Sequence, residues 1–303
     1  MSCQVFSGEN SVTLAGEARA IKYAADNGAV ILQCSWGDNS SESSIINGYT
    51  PGPATEKEWA ETYPLEKEAL DYFINHAGSP NGVIDGGIAI FAAGNEYAGN
   101  PAFPGAYSKC VCVSSVAADF TPACYTDYGT LVTLSAPGGD LENYGKVGEA
   151  EDEYWSETTE QKGAVLSAMI QNGKPAYGYM EGTSMACPHV SGVAALGLSY
   201  AVKQHRHYRA ADLVSLMKRS VKDLDGYYTG GATKTYYMNH TTVGASPEIV
   251  SLSKYIGKMG TGLIDAVQLL NNIKNKEISS DMKLHTVYIG LENTTTLNLP
   301  SYI

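Results

Sequence analysis

The chain has 303 residues, 44% of them hydrophobic and 17% charged, which suffices for a sizeable core and excludes a composition biased towards disorder. Its formal net charge of −12 argues against nucleic acid or an anionic membrane surface as a partner. No window reads as long and apolar enough to span a bilayer, and the six cysteines have no zinc-site spacing.

Strand alternates with helix along the chain, which predicts an α/β class with a parallel sheet covered on both faces. Cys3 to Phe6 reads as a strand, Ala15 to Asn27 as a helix and Val30 to Ser35 as the next strand. The segment Asp38 to Gly82 is an elaboration carrying one long helix, Glu56 to Ala77, with Trp59 and Tyr72-Phe73 on its pattern. Asp85, in Val83-Ile-Asp-Gly-Gly87, reads as a turn residue entering the strand Ile88 to Ala93. Strands are predicted at Cys110 to Val116 and Leu131 to Ser135, and Cys110, Cys112 and Cys187 read as packed core thiols. The run Gly148-Glu-Ala-Glu-Asp-Glu-Tyr154 reads as a solvated loop. Helices follow at Ser184 to His205, Ala210 to Val221 and Leu263 to Ile273. After Lys276, β-branched and polar residues alternate, so 1–275 is expected to form the main domain and 276–303 the start of a further β region.

The most informative run is Gly182-Thr-Ser-Met-Ala-Cys-Pro-His-Val-Ser-Gly192. Gly182 permits close approach of backbone to a ligand, and the small apolar residues after it suit a tightly packed helix. Ser184 then falls in the first turn, where free N–H groups and the helix dipole favour an anion. Pro188 in the second turn disturbs the helix, a cost that a purely structural helix has little reason to carry. Ile88-Ala-Ile-Phe-Ala-Ala-Gly-Asn95-Glu96 is a buried strand ending in Gly-Asn, which sets a neutral amide donor on a sharp turn.

Together these runs resemble the nucleophile and oxyanion motifs of the subtilases, the subtilisin-like serine proteases. The resemblance implies a subtilisin-like three-layer fold, with Ser184 as nucleophile and Asn95 as oxyanion donor, both catalytic. Asn donors of this kind are worth roughly a hundred- to a thousandfold in turnover. Further runs match in the family's order: Val30-Ile-Leu-Gln-Cys-Ser35-Trp36-Gly37, Pro101-Ala-Phe-Pro-Gly-Ala-Tyr107, Cys110 to Val116, Leu134-Ser-Ala-Pro137-Gly138-Gly139-Asp140 and Gly260-Thr-Gly262-Leu-Ile-Asp265-Ala266. By this resemblance Ser35, Trp36 and Gly37 pair with an extended polypeptide substrate. Ala92, Ala93 and Gly94 form the opposite wall of the pocket before the scissile bond, and Gly182 and Thr183 complete it. Trp36 replaces the smaller apolar residue usual there, so specificity is expected to differ. The elaboration Asp38 to Gly82 is expected near the substrate face.

Two family motifs are not found in this sequence: the strand-ending Asp-(Thr/Ser)-Gly and His-Gly-Thr-His, both expected ahead of residue 1. His189 lies five residues after Ser184, roughly 140° around the helix, and cannot reach its hydroxyl. His76, His205, His207, His240 and His285 carry no triad signature. In this family removing the serine or the histidine costs about a millionfold in turnover, so the isolated chain is expected to be nearly inactive. The alternative is a catalytically dead peptide- or protein-binding module; an α/β-hydrolase is disfavoured because Ala186 stands where its elbow needs glycine. No metal is assigned, although calcium is common in subtilases. The resemblance implies a secreted or extracytoplasmic protein. The strand missing between Cys3–Phe6 and Val30–Ser35 would leave two open edges, hence an expected self-association.

Overall fold

The computed structural model describes residues 1–7, 10–11, 13–43, 50–78, 82–140, 163–236 and 248–275. The acidic run Gly148–Tyr154, His240, His285 and the segment 276–303 lie outside the described residues. A six-stranded sheet, mostly parallel, forms the centre. Its strands, from the free edge inwards, are β3 (Ile31–Cys34), β5 (Ile88–Ala92), β6 (Val111–Val116), β7 (Leu134–Pro137), β14 (Leu263–Ile264) and β11 (Val221–Lys222). The outermost pair, β11 and β14, is antiparallel, and the others run parallel.

β5 shows why the sheet is covered twice. Its side chains alternate, and both sets are apolar. Ile88, Ile90 and Ala92 join one buried cluster with α4 (Thr183–Lys203), α5 (Ala210–Arg219) and α6 (Ala266–Lys274). Ala89 and Phe91 join the other, with α1 (Leu14–Asp26), α2 (Glu56–Thr62) and α3 (Pro64–His76). α4 is buried on many sides, at Ala186, Cys187, Val190, Ala194, Gly197, Leu198 and Ala201. Contrary to the sequence expectation, this 21-residue helix is long and apolar enough to cross a membrane by length and composition, and here it packs against β3, β5, β6, β7 and α6.

Several elements differ from expectation for identifiable reasons. The helix expected at Glu56 to Ala77 is two helices, because Pro64 lacks an N–H and pushes Tyr63 out of helical geometry (φ −124°, ψ 56°), then serves as the first residue of α3. Residues Leu263 and Ile264 are strand, not helix; Asp265 caps α6 by accepting from Gln268 N at 2.9 Å. The strand expected at Leu131 to Ser135 starts later, at Leu134, with Leu131 exposed. Cys3 to Phe6 does not join the sheet. Instead β1 (Phe6–Ser7) turns back on β2 (Asn10–Ser11), with Met1 and Phe6 exposed, so the segment lacks the buried faces that a central parallel strand needs. β3 is therefore the edge strand. Asp85, expected in a turn, lies in β4 (Ile84–Asp85), which pairs with β10 (Tyr208–Arg209). The hairpin of β8 (Val165–Gln171) and β9 (Lys174–Met180) is an addition to the expected elements. β12 (Thr233–Tyr236) pairs with β13 (Glu248–Ser251) beside a tyrosine-rich cluster that includes Tyr97, Tyr228, Tyr236 and Tyr255. None of the six cysteines forms a disulfide, and all but Cys3 are buried.

Candidate active site

Parallel strands gather their carboxyl ends on one edge of the sheet, where ligands of such folds bind. The segments after β3, β5 and β7 meet the N-terminus of α4 there. α4 starts at Gly182, whose φ of 142° and ψ of 160° lie outside what a side-chain-bearing residue readily adopts. Gly182 O accepts from Met185 N and Ala186 N, which puts Ser184 in the first turn, half-buried, as expected.

Asn95 is bound to this turn through its carbonyl. Its Oδ1 accepts from Thr183 N at 2.9 Å and from Thr183 Oγ1 at 2.8 Å, which leaves the amide Nδ2 free to face outward. A Cβ placed on Gly182 would sit 3.6 Å from Ser184 N and 3.7 Å from Asn95 Nδ2. The missing side chain thus leaves a space flanked by two N–H donors, one backbone and one amide. That arrangement suits an oxyanion.

Ser35 lies on the other side. Its Oγ donates to Ser184 O at 2.7 Å and accepts from Gln33 Nε2 at 2.7 Å, while Ser184 Oγ donates to Ser35 O at 3.4 Å. Trp36 meets Phe91 edge-on at 5.1 Å, and a Cβ on Gly37 would lie 2.9 Å from Phe103 O, so the strand-end loop is packed close to its neighbour. Gly94 N donates to Thr183 Oγ1 at 3.3 Å. Ala92 is nearly buried and Ala93 fully so, packed with Cys112 and Val132, with its N–H on Val113 O and its carbonyl accepting from Ala102 N. The elaboration reaches this region through its first turn: Ser40 N donates to Glu96 Oε2 at 3.1 Å and Gly99 N to Glu42 Oε2 at 3.1 Å. Its helices α2 and α3 instead cover the opposite layer with α1.

Two residues at the site were missed by the sequence reading. Tyr125 Oη, wholly surrounded, accepts from Gly182 N at 2.9 Å and lies 3.0 Å from Gly138 O, 2.6 Å from Gly139 O and 2.8 Å from Ser115 Oγ. It ties the loop after β7 to the start of α4. Asp127 N donates to Gly94 O, and its Oδ1 accepts from Glu96 N at 3.0 Å and Ala98 N at 2.8 Å. No short motif announces either role, because the contacts join segments 57 and 31 positions apart.

Among the described residues, no histidine bonds Ser184 Oγ. His189 Nδ1 donates to Met185 O at 2.8 Å and is exposed. His207 Nε2 pairs with Asp85 Oδ1 at 2.9 Å, and His76 leans on Tyr72 with ring centroids 5.0 Å apart. Burial pushes the Cys187 thiol up to about 11, so this neighbour of Ser184 stays protonated at neutral pH.

The model of the subtilase family, Peptidase S8, matches residues 1–241. The chain belongs to the subtilase family. The calcium-dependent protease of Trichormus variabilis is 28% identical over 94% of this chain and 43% of its own length. Thermitase of Thermoactinomyces vulgaris is 26% identical over 65% of this chain and 50% of its own. The chain spans less than half the length of that calcium-dependent protease. Among solved structures, a point mutant of the protease domain of PatA superposes with a TM-score of 0.56 at 17% identity, covering 91% of this chain and 71% of that one. The epidermin leader peptide processing protease of Staphylococcus aureus gives 0.56 at 20% identity, covering 91% and 57%. These likenesses carry the subtilisin-like fold. The protease of Trichormus variabilis is named calcium-dependent; among the described residues of this chain no group of three His, Cys, Asp or Glu side chains is placed to hold a metal ion.

Proposed function

We propose that this subtilase cleaves polypeptides by acyl transfer to Ser184, with Asn95 Nδ2 and Ser184 N–H as the oxyanion donors. The observation that carries this reading is the space left by Gly182 between those two donors, 3.7 and 3.6 Å from its would-be Cβ. As Oγ attacks the scissile carbonyl, a C–O bond forms, the carbonyl oxygen gains negative charge, and the two donors meet it. Ser35 to Gly37 then pair with an extended substrate through their backbone, and Ala92 to Gly94, with Gly182 and Thr183, wall its pocket. The Oγ proton needs a base. In this chain Oγ points to Ser35 O at 3.4 Å, a carbonyl that cannot take it.

The 303-residue chain alone is therefore expected not to turn over peptides at a useful rate. The test is labelling by a fluorophosphonate with Ser184→Ala as control. Slow labelling lost in that variant supports a nucleophile with an oxyanion site but no assisting base, whereas rapid peptide hydrolysis by the isolated chain would overturn the second half of the reading. A peptide-binding module is the second reading, favoured by the Ser184 Oγ to Ser35 O contact, and peptide binding without any labelling selects it. Extracellular action is proposed from relatives such as the halolysin-like extracellular serine protease Nep of Natrialba magadii. Self-association through the outer edge of β3 is proposed because that edge has no strand partner among the described residues; a monomer by sedimentation at micromolar concentration would refute it.

A further inference from the structure

The side chain of Asp127 is wholly buried, with 0% exposure, directly under the loop that carries Asn95. One of its oxygens is accounted for, since Oδ1 caps the turn by accepting from Glu96 N and Ala98 N. The other, Oδ2, has no N–H donor among the described residues. It is aimed under Gly94: a Cβ there would lie 2.2 Å from Asp127 Oδ2 and 3.0 Å from Glu96 Oε2. Two carboxyl groups therefore converge beneath Gly94, where only a proton on one of them can supply a hydrogen bond between them. Glu96 in turn accepts from Ser40 N through Oε2 and from Asn95 N through Oε1, the latter at 3.4 Å.

Among the described residues no cation forms an ion pair with either carboxyl. The titratable groups around Asp127 are Glu96 from the loop after β5, Cys112 on β6, Tyr128 beside it, and, across Tyr128, Glu42 with Lys254 and Lys258, whose ammonium groups lie over the Tyr128 ring at 4.9 and 5.8 Å. A wholly buried carboxyl facing a half-buried one, with no ion-pair partner of its own, resists a second charge, so one proton stays between them. A proton there turns mutual repulsion into a charge-assisted hydrogen bond and frees the Glu96 carboxylate to accept from the backbone of Asn95.

We infer that Asp127 holds a proton which it donates to Glu96, and that this shared proton positions Asn95, making Asp127 a positioning residue for the oxyanion donor. Burial, then the neighbouring Glu96, push the Asp127 carboxyl well above the ordinary carboxylate range, in line with the geometry. When pH rises far enough to remove the proton, two like charges face each other beneath Gly94, and the loop must open. The oxyanion site is then lost from the alkaline side. The inference rests on the proposed role of Asn95, but its test reads Asn95 without needing turnover.

The full chain, labelled with 13Cγ-aspartate and 15Nδ2-asparagine, is titrated by NMR. The Asp127 carbon is expected to keep a protonated shift at pH 7, where an ordinary carboxyl of pKa about 4 is ionised. The Asn95 amide nitrogen is expected to move with the same alkaline midpoint. In Asp127→Asn, whose amide can accept from Glu96 N and Ala98 N and donate to Glu96, the chain is expected to fold, to keep the acid-form Asn95 shift and to lose its pH dependence. Asp127→Ala is expected to displace Asn95 at every pH. An ionised Asp127 at pH 7, an Asp127→Asn chain that fails to fold, or one whose Asn95 titrates as in the parent would each overturn the inference. Failure of fluorophosphonate labelling alone would instead strike the proposed function and leave this result standing.

Discussion

Replacing Tyr125 by phenylalanine removes one oxygen and keeps the ring. That oxygen is 2.6 Å from Gly139 O, 2.8 Å from Ser115 Oγ and 2.9 Å from Gly182 N, all in buried surroundings. Gly182 N keeps a second acceptor, Gly138 O at 2.9 Å, so it is not orphaned. Gly139 O and Ser115 Oγ each lose a partner. At roughly 1 kcal/mol or a little more for each buried group left unmatched, the loss should total about 2–3 kcal/mol. For a folded unit of this size that lowers the melting temperature by about 4–6 °C. Urea denaturation gives the free energy, and the double variant with Ser115→Ala should recover part of it, because the orphaned hydroxyl is gone. The same change loosens the turn before Ser184, so fluorophosphonate labelling should slow at temperatures where the variant is still folded. A Tyr125→Phe chain within about 0.5 kcal/mol of the parent would show that the hydroxyl does not hold the loop after β7 to α4.

Two further outcomes are expected. Lys234, buried, pairs with the fully buried Asp140 at 2.5 Å and also donates to Thr121 Oγ1 and Pro122 O, so Lys234→Met should cost about 3–5 kcal/mol in urea denaturation while Lys234→Met with Asp140→Leu recovers most of it; equal losses in both would refute a charge-pair origin. Burial, then the facing Glu17, raise the Glu66 carboxyl to about 9, so the folded state holds a proton that the unfolded chain releases near 4.5. Stability is thus full below that lower value and falls as pH rises towards about 9. Glu66→Gln, which can accept from Trp59 Nε1 and donate to Glu17, should flatten the slope, and an unchanged slope would refute the assignment.

Much of the architecture was legible because both alternating sets on β5 are apolar, which only a doubly covered sheet explains. Ser184 and Asn95 were legible because each sits in a contiguous run whose backbone shape follows from glycine. The hairpin of β8 and β9 has a readable local signal: Asn172-Gly173 between its strands, with φ of 50° and 75°, is a two-residue turn of the type that hairpins favour. Pro64 is likewise enough to divide the helix. The expected strand at Cys3 to Phe6 rests on apolar residues whose burial depends on neighbours that a local pattern cannot supply. Tyr125 and Asp127 are illegible for another reason, since a tyrosine hydroxyl and a buried carboxyl acquire their roles from loops far off in sequence.

Trp59 gives the glutamate pair an optical readout. Its ring is fully buried, stacks on Phe103 at 5.5 Å and donates through Nε1 to Glu66 Oε2 at 2.7 Å. Indole emission is sensitive to a charge fixed at the ring nitrogen, so in a background where Trp36 and Trp155 are phenylalanine, the emission maximum of Trp59 becomes a spectroscopic pH gauge inside the layer formed by α1, α2 and α3.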